Sequence, residues 1–231
     1  MTLPPGLLPE ALEAGGLRYA GREWPGRPDI YGTVGQGYLD RVKRGRLAIE
    51  KRTYAHNQLQ LMVPRGNPLG LKDLRDLSRP GLRTSLPNPL DEGIMRFHAK
   101  PVLERLGLWS SLSANRDCRA CEPVPGHWFT AVHHRETPER IALGLSDAGI
   151  VWRTEVEEAI RAGRALEGVE LPADQNAGQD VAYTAMALVD CRHPEAATRW
   201  LEHLASPEGQ EAYVSFAFAP ATETERRPSS L

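Results

Sequence analysis

The chain has 231 residues, 28 Lys and Arg against 30 Asp and Glu, an apolar fraction of 41% and a charged fraction of 25%. These are the values of an ordinary globular chain, and they argue against general disorder and against a protein that coats nucleic acid through net charge. No run approaches the roughly 20 apolar residues that span a bilayer, and Met1–Pro9 lacks the basic region and apolar core of an export signal, so the sequence as given predicts neither membrane insertion nor an export address.

Leu7, Leu8, Ala11 and Leu12 recur at helical spacing and predict a first helix, stopped by Gly15 and Gly16. Asp29 to Gly35 reads as a short β-branched and aromatic strand, and Tyr38, Leu39 and Val42 then share one side of a helix. Leu59 to Val63 is an apolar strand closed by the turn formers Pro64-Arg65-Gly66-Asn67-Pro68. Leu71, Leu74 and Leu77 mark a short helix ended by Pro80-Gly81, and Leu82 to Leu86 is the next strand. Asp91 and Glu92 open a helix, where acidic side chains suit the positive end of its dipole; Ile94, Phe97 and Val102 continue its apolar face and Pro101 kinks or ends it. After a loop with Cys118 and Cys121, Thr137-Pro138 predicts an N-cap followed by proline at the first helical position, with Ile141 and Leu145 on the buried side. Asp147 to Trp152 is a strand, Glu155 to Ile160 a helix, Val169 to Leu171 a brief strand and Val181 to Val189 a longer one. Two helices start at Pro194 and Pro207, and 222–231 reads as a flexible polar tail. Strands and helices in alternation predict an α/β fold with mixed, mostly parallel sheets.

Several segments together resemble the molybdate- and tungstate-type solute-binding proteins, the type II periplasmic kind. They are Pro28-Asp29-Ile30-Tyr31 with Gln36-Gly37-Tyr38-Leu39-Asp40; Asn57-Gln58-Leu59 through Asn67-Pro68 with Leu71-Lys72-Asp73-Leu74; Ser85-Leu86-Pro87-Asn88-Pro89 with Gly93; Asp147 to Thr154; and His193-Pro194-Glu195-Ala196-Ala197 with Ser206-Pro207-Glu208-Gly209-Gln210. Each is weak alone; their order and spacing over about residues 28 to 221 carry the likeness. The resemblance implies two α/β lobes, lobe I over 1–80 and 175–221 and lobe II over 81–174, closing on a ligand about the Val63 and Val181 regions. It also implies that part of the first lobe, with its serine-bearing loop, lies outside the chain as given.

Such a family holds a small anionic or polar solute on backbone N–H groups and hydroxyls at helix starts, where the amides are unsatisfied and lie at the positive end of the dipole. The positions that match are Tyr31, Gly32, Thr33, Ser85, Asn88, Glu92, Gly93, His134, Arg135, Glu136, Thr137, Trp152 and Tyr183. Trp152 stands where the family often has tyrosine, replacing a hydroxyl with an indole donor. His133, His134 and Arg135 enrich one helix start in cations, and Glu92 adds a carboxylate, so molybdate is not the required ligand.

Cys118 and Cys121, with His127 and His133, have the residue types of a zinc site, but the Cys121–His127 spacing is short and holds Pro123 and Pro125; a disulfide or paired thiols is the preferred reading, with no metal and no cofactor. Cys191 reads as a packed thiol. The function expected is that of a monomeric binding module without catalysis, extracytoplasmic by resemblance, passing an oxyanion or polar solute to the membrane permease of an ABC transporter. Two rivals stay open: the effector-sensing domain of a cytoplasmic regulator, and a Cys/His metal or cysteine enzyme.

Overall fold

A computed structural model of the chain describes residues 7–14, 17–19, 22–24, 28–34, 36–45 and 48–229. The Gly15-Gly16 stop and the Gly35 turn lie outside the described residues. The first elements are α1 (Leu7–Ala14), β1 (Leu17–Tyr19), β2 (Arg22–Trp24), β3 (Ile30–Val34), α2 (Gln36–Arg44), β4 (Ala48–His56) and β5 (Leu59–Pro64). A 3-10 helix (Leu74–Ser78), β6 (Thr84–Leu86), a π-helical segment (Ile94–Ala99) and α3 (Lys100–Arg105) follow. Then come α4 (Trp109–Ser113), β7 (Cys121–Val124), β8 (His127–Phe129), α5 (His133–Ala142), β9 (Ala148–Trp152), α6 (Arg153–Arg161) and β10 (Leu166–Glu170). The chain closes with β11 (Ala182–Leu188), α7 (Pro194–Ala205), α8 (Pro207–Ser215), β12 (Ala219–Pro220) and α9 (Glu223–Arg226).

Two compact units result, one of residues 1–56 with 181–231 and one of 57–180. The predicted division at 80/81 and 174/175 is therefore displaced. Residues 57–80 belong with the second unit because β5 is a central strand of its sheet and Leu71, Leu74 and Leu77 are buried in its core.

The first unit carries a four-stranded sheet in the order β12-β4-β11-β3. Leu12, Leu39 and Val42 of α1 and α2 pack on Tyr31, Met186 and Leu188 at one face. Leu201 and Leu204 of α7 cover Ala185 and Ala187 at the other. Every pairing in this sheet is antiparallel. The expectation of mostly parallel sheets fails here for a topological reason: β3 and β4 run the same way, as a strand-helix-strand unit should, but β11 inserts between them in the opposite sense. β4 itself escaped the sequence reading, since Glu50, Lys51 and Arg52 break the apolar pattern of a strand.

Of the tail predicted over 222–231, residues 222–229 carry a short helix and a bridge to β4. Thr222 caps α9, accepting from Glu225 N while Glu225 Oε2 accepts from Thr222 N at 2.8 Å, and Glu225 also reaches His56 Nε2 at 3.1 Å. Ser229 then pairs with Lys51 of β4. Thr222→Ala is expected to lower stability by about 1 kcal/mol, read as a lower urea midpoint; an unchanged midpoint would show that the cap contributes nothing.

The second unit holds a six-stranded sheet in the order β10-β5-β9-β6-β8-β7. Its parallel pairs are β6 with β8 and β6 with β9; the remainder are antiparallel. Leu59, Leu61, Val63, Leu86, Phe129 and Ile150 face one core with Leu74, Met95, Leu103 and Leu112. Met62 and Val151 face a second core under α5 and α6, with Ile141, Val156 and Ala159. Coverage on both sides explains why β5 reads as an unbroken apolar run rather than an alternation.

α5 begins at His133, five residues before the predicted first helical position at Pro138, and so carries Pro138 inside the helix. The earlier start is set by Val132, which is extended (φ −144, ψ 95), and by Glu136, which accepts from the N–H groups of Ala131 at 2.7 Å and Val132 at 2.9 Å. Among the described residues no helix is long and apolar enough to cross a membrane.

Candidate functional site

The adjacent strands β9, β6 and β8 run parallel, so their carboxyl ends lie at one edge of the second unit's sheet. From that edge the chain enters the Pro87–Gly93 loop, α5 and α6 in turn. This is where open α/β sheets bind ligands, because helix starts present unsatisfied N–H groups and positive dipole ends there.

Here the chain supplies carboxylates of its own to those donors. Glu92 Oε2 accepts from Asn88 N at 2.7 Å and Thr130 Oγ1 at 3.0 Å, and Glu92 Oε1 accepts from His133 N at 2.7 Å. Glu136 serves the α5 entry as described above and accepts from the Trp128 indole at 3.2 Å. Glu155 Oε2 accepts from Trp152 N at 3.1 Å, ahead of α6.

His133 lies between two of these carboxylates. Its Nδ1 is 2.6 Å from Glu92 Oε1 and its Nε2 is 3.0 Å from Glu155 Oε1. Burial works against the imidazolium, but the hydrogen bonds and charges of Glu155 and Glu92 outweigh it and hold the pKa up at about 9. The same balance applies to Glu92, where burial raises the pKa yet the His133 hydrogen bond and charge carry it below the ordinary carboxylate value. With both ring nitrogens engaged, His133 is a doubly bonded cation at neutral pH. His134, exposed on the next residue, stands edge-on to it with ring centroids 5.4 Å apart.

The positions picked out in the sequence fall into distinct environments. Ser85 is fully buried, its hydroxyl 2.8 Å from Ser146 Oγ and accepting from Arg140 Nε at 3.1 Å. Thr137 is also fully buried, with its methyl against Gly149. Both hydroxyls are buried within the second unit. Asn88 shapes its loop by accepting from Leu90 N at 3.1 Å and Asp91 N at 2.8 Å. Glu92 and Glu136 occupy donors rather than await a ligand. Trp152 packs on the core with its ring 5.3 Å from His98, while Gly93, His134 and Arg135 are exposed. In the first unit Tyr31 is a core side chain at 2% exposure, and Thr33 is buried with its hydroxyl turned to Val34 O at 3.5 Å. Gly32 is exposed on β3, and Tyr183 is half-buried beside Phe218, centroids 5.3 Å apart.

The cysteines are settled by geometry. Cys118 and Cys121 are joined by a disulfide with Cα atoms 6.2 Å apart. His127 Nδ1 is 2.9 Å from Thr84 Oγ1 and His133 is held by Glu92 and Glu155, so the Cys/His grouping weighed as a zinc site does not assemble.

The model of the bacterial extracellular solute-binding protein family matches residues 4–219. The chain belongs to that family. Among solved solute-binding folds, a substrate-binding domain assigned to a molybdenum ABC transporter from Clostridium difficile superposes with TM-score 0.70 at 16% identity, covering 95% of this chain and 84% of that one. Iron-bound HitA from Pseudomonas aeruginosa superposes with TM-score 0.68 at 17% identity, covering 95% and 76%. At such identities the likeness fixes the two-lobed fold, and the difference between those two proteins shows that this fold does not fix the ligand. In sequence, a sulfate-binding protein of Synechococcus elongatus is 26% identical over 175 residues, 70% of this solute-binding chain. The match spans 46% of that relative's length.

Two site residues carried no sequence assignment as such, His133 and Glu155. The signal for Glu155 was its place three residues after Trp152 at a helix start, the spacing at which a glutamate reaches back to the cap N–H. His133 was read as part of a cationic run and as a zinc-type residue beside Cys118, Cys121 and His127, because nothing in sequence brings Glu92, 41 residues earlier, to its ring.

Proposed function

We propose that the chain is the solute-capturing component of an ABC-type uptake system, working outside the cytoplasm, and that its solute is a small oxyanion of the sulfate and molybdate class. The observation that carries this reading is the meeting of three helix starts at the carboxyl ends of three neighbouring parallel strands, a seat for anionic oxygen that already accommodates carboxylate oxygens of Glu92 on two backbone N–H groups and a hydroxyl. Family membership and the sulfate-binding relative support it. Since Glu92, Glu136 and Glu155 occupy the innermost donors, the contacts left for solute in this unit are the exposed helix starts at Gly93 and at His134 and Arg135.

The test is a thermal-shift series with sulfate, molybdate and tungstate at matched ionic strength. A ligand that selects the folded state at 100 times its Kd adds about 2.7 kcal/mol and raises the melting temperature by several degrees. Arg135→Ala is expected to abolish most of that shift without lowering the melting temperature of the free protein. A flat response to all three anions overturns the oxyanion assignment.

A further inference from the structure

The His133 environment has an arrangement of which the anion reading uses only the exposed His134. One ring nitrogen, Nδ1, faces a buried carboxylate, Glu92, which fixes the plane of the ring. The other, Nε2, points at Glu155 Oε1, and His134 stands alongside, so that a nitrogen or oxygen ligand atom from each of His133, His134 and Glu155 lies within 4.8 Å of the others. A carboxylate behind a histidine, orienting it for a cation at its second nitrogen, is the outer support that metal-binding imidazoles have. Independently, a cavity of about 350 Å³ opens on two of these three groups; it is lined by His134, Pro138, Thr154, Glu155, Glu158 and Arg164 among others. Access from solvent and room for a further ligand are therefore both present at the cluster.

We propose that His133 Nε2, the His134 imidazole and a Glu155 carboxylate oxygen bind a divalent transition-metal ion of the zinc class at the inner end of this cavity, with Glu92 orienting His133 from behind. Three ligands of the nitrogen and oxygen type at about 2.0–2.2 Å suit zinc, and leave one coordination position open. That position faces the cavity, where a water or the carboxylate of Glu158 would complete the shell. The metal takes the place of the proton that bridges His133 Nε2 and Glu155 in the metal-free protein, and that proton leaves to solvent. The ligand atoms lie within 4.8 Å of one another, and His134, an exposed side chain, is the one with room to move in on the ion.

The experiment is titration calorimetry of the full chain, stripped with a chelator, with zinc chloride as the only added ligand. One equivalent is expected to bind. His134→Ala and Glu155→Gln are each expected to weaken binding about 10-fold or more, with the urea midpoint of His134→Ala unchanged because that residue is exposed. Cobalt substitution should give the visible spectrum of a site with nitrogen and oxygen ligands and no thiolate. Failure to bind zinc, cobalt or nickel overturns the proposal, as does zinc binding that survives undiminished in both variants. The oxyanion series reads separately: anions can shift the melting temperature while zinc fails to bind, or the reverse.

Discussion

Glu92→Ala is expected to cost about 3 kcal/mol of stability, the lower end of what breaking one side of a buried ion pair costs. The side chain of Glu92 is 10% exposed, and four donors converge on it: Asn88 N, Thr130 Oγ1, His133 N and His133 Nδ1. Alanine takes the carboxylate from the Asn88 and His133 N–H groups and from His133 Nδ1, while Thr130 Oγ1 keeps Leu86 O at 3.3 Å, and it removes one of the two carboxylates that neutralise His133. Glu155 still serves Nε2, which keeps the loss from being larger. A urea denaturation series measures it, and a loss below about 1 kcal/mol would show that the pair contributes little beyond a surface bridge.

The same pair gives stability a pH signature in chelator-treated protein. His133 has a folded-state pKa of about 9 against an ordinary value near 6.5, so its contribution is fully present below pH 6.5, declines as pH rises, and is lost above about 9. A shift of this size corresponds to about 3 kcal/mol. Glu92 is shifted the other way, and its contribution is present above the ordinary carboxylate pKa and lost as pH falls below it. The urea midpoint of the wild type should therefore fall between pH 6.5 and 9, and Glu92→Ala should flatten that fall. Equal slopes in the two proteins would place the titration elsewhere.

The second large effect is expected at Gly149. A Cβ there would overlap the methyl of Thr137 and come within 2.7 Å of the carbonyl oxygen of Ser85, on the strand to which β9 is hydrogen-bonded. The methyl can be relieved, but the carbonyl can move only if β6 and β9 separate. Gly149→Ala is accordingly expected to cost about 3 kcal/mol, as overpacking of a closed core does. Combining it with Thr137→Ser, which deletes the methyl and keeps the hydroxyl, should recover part of the loss. No recovery in the double variant would assign the whole penalty to the strand contact.

Much of the fold was legible because the second unit's strands are apolar runs bounded by proline and glycine, as at Leu59–Pro68 and Leu82–Pro89. Among the strands that were missed, β4 and β8 owe their burial to partners and not to composition. β4 carries Glu50, Lys51 and Arg52 yet lies between β11 and β12, and β8 is three residues long. At the site, the helix starts were readable, and so was the cationic run at His133 to Arg135. What could not be read was occupancy. Whether a hydroxyl such as that of Ser85 or Thr137 faces solute or core depends on neighbours 61 and 12 residues away, Ser146 and Gly149. Thr137-Pro138 is a sound local signal for a helix start, and it lost to the combined pull of Glu136 on the preceding amides and Glu92 on His133 N.

The threading of β11 between β3 and β4 also orders events during synthesis. Residues 57–180 form one uninterrupted stretch and hold all six strands of their sheet, so this unit can complete itself as soon as it has emerged from the ribosome. The other unit cannot. β3 and β4 have no strand between them until Ala182–Leu188 arrives, nearly 130 residues after β4 ends, and their open edges stay unpaired meanwhile. In vectorial folding the second unit is therefore expected to be complete while the sheet of the first still waits for the seven-residue β11 and, after it, β12.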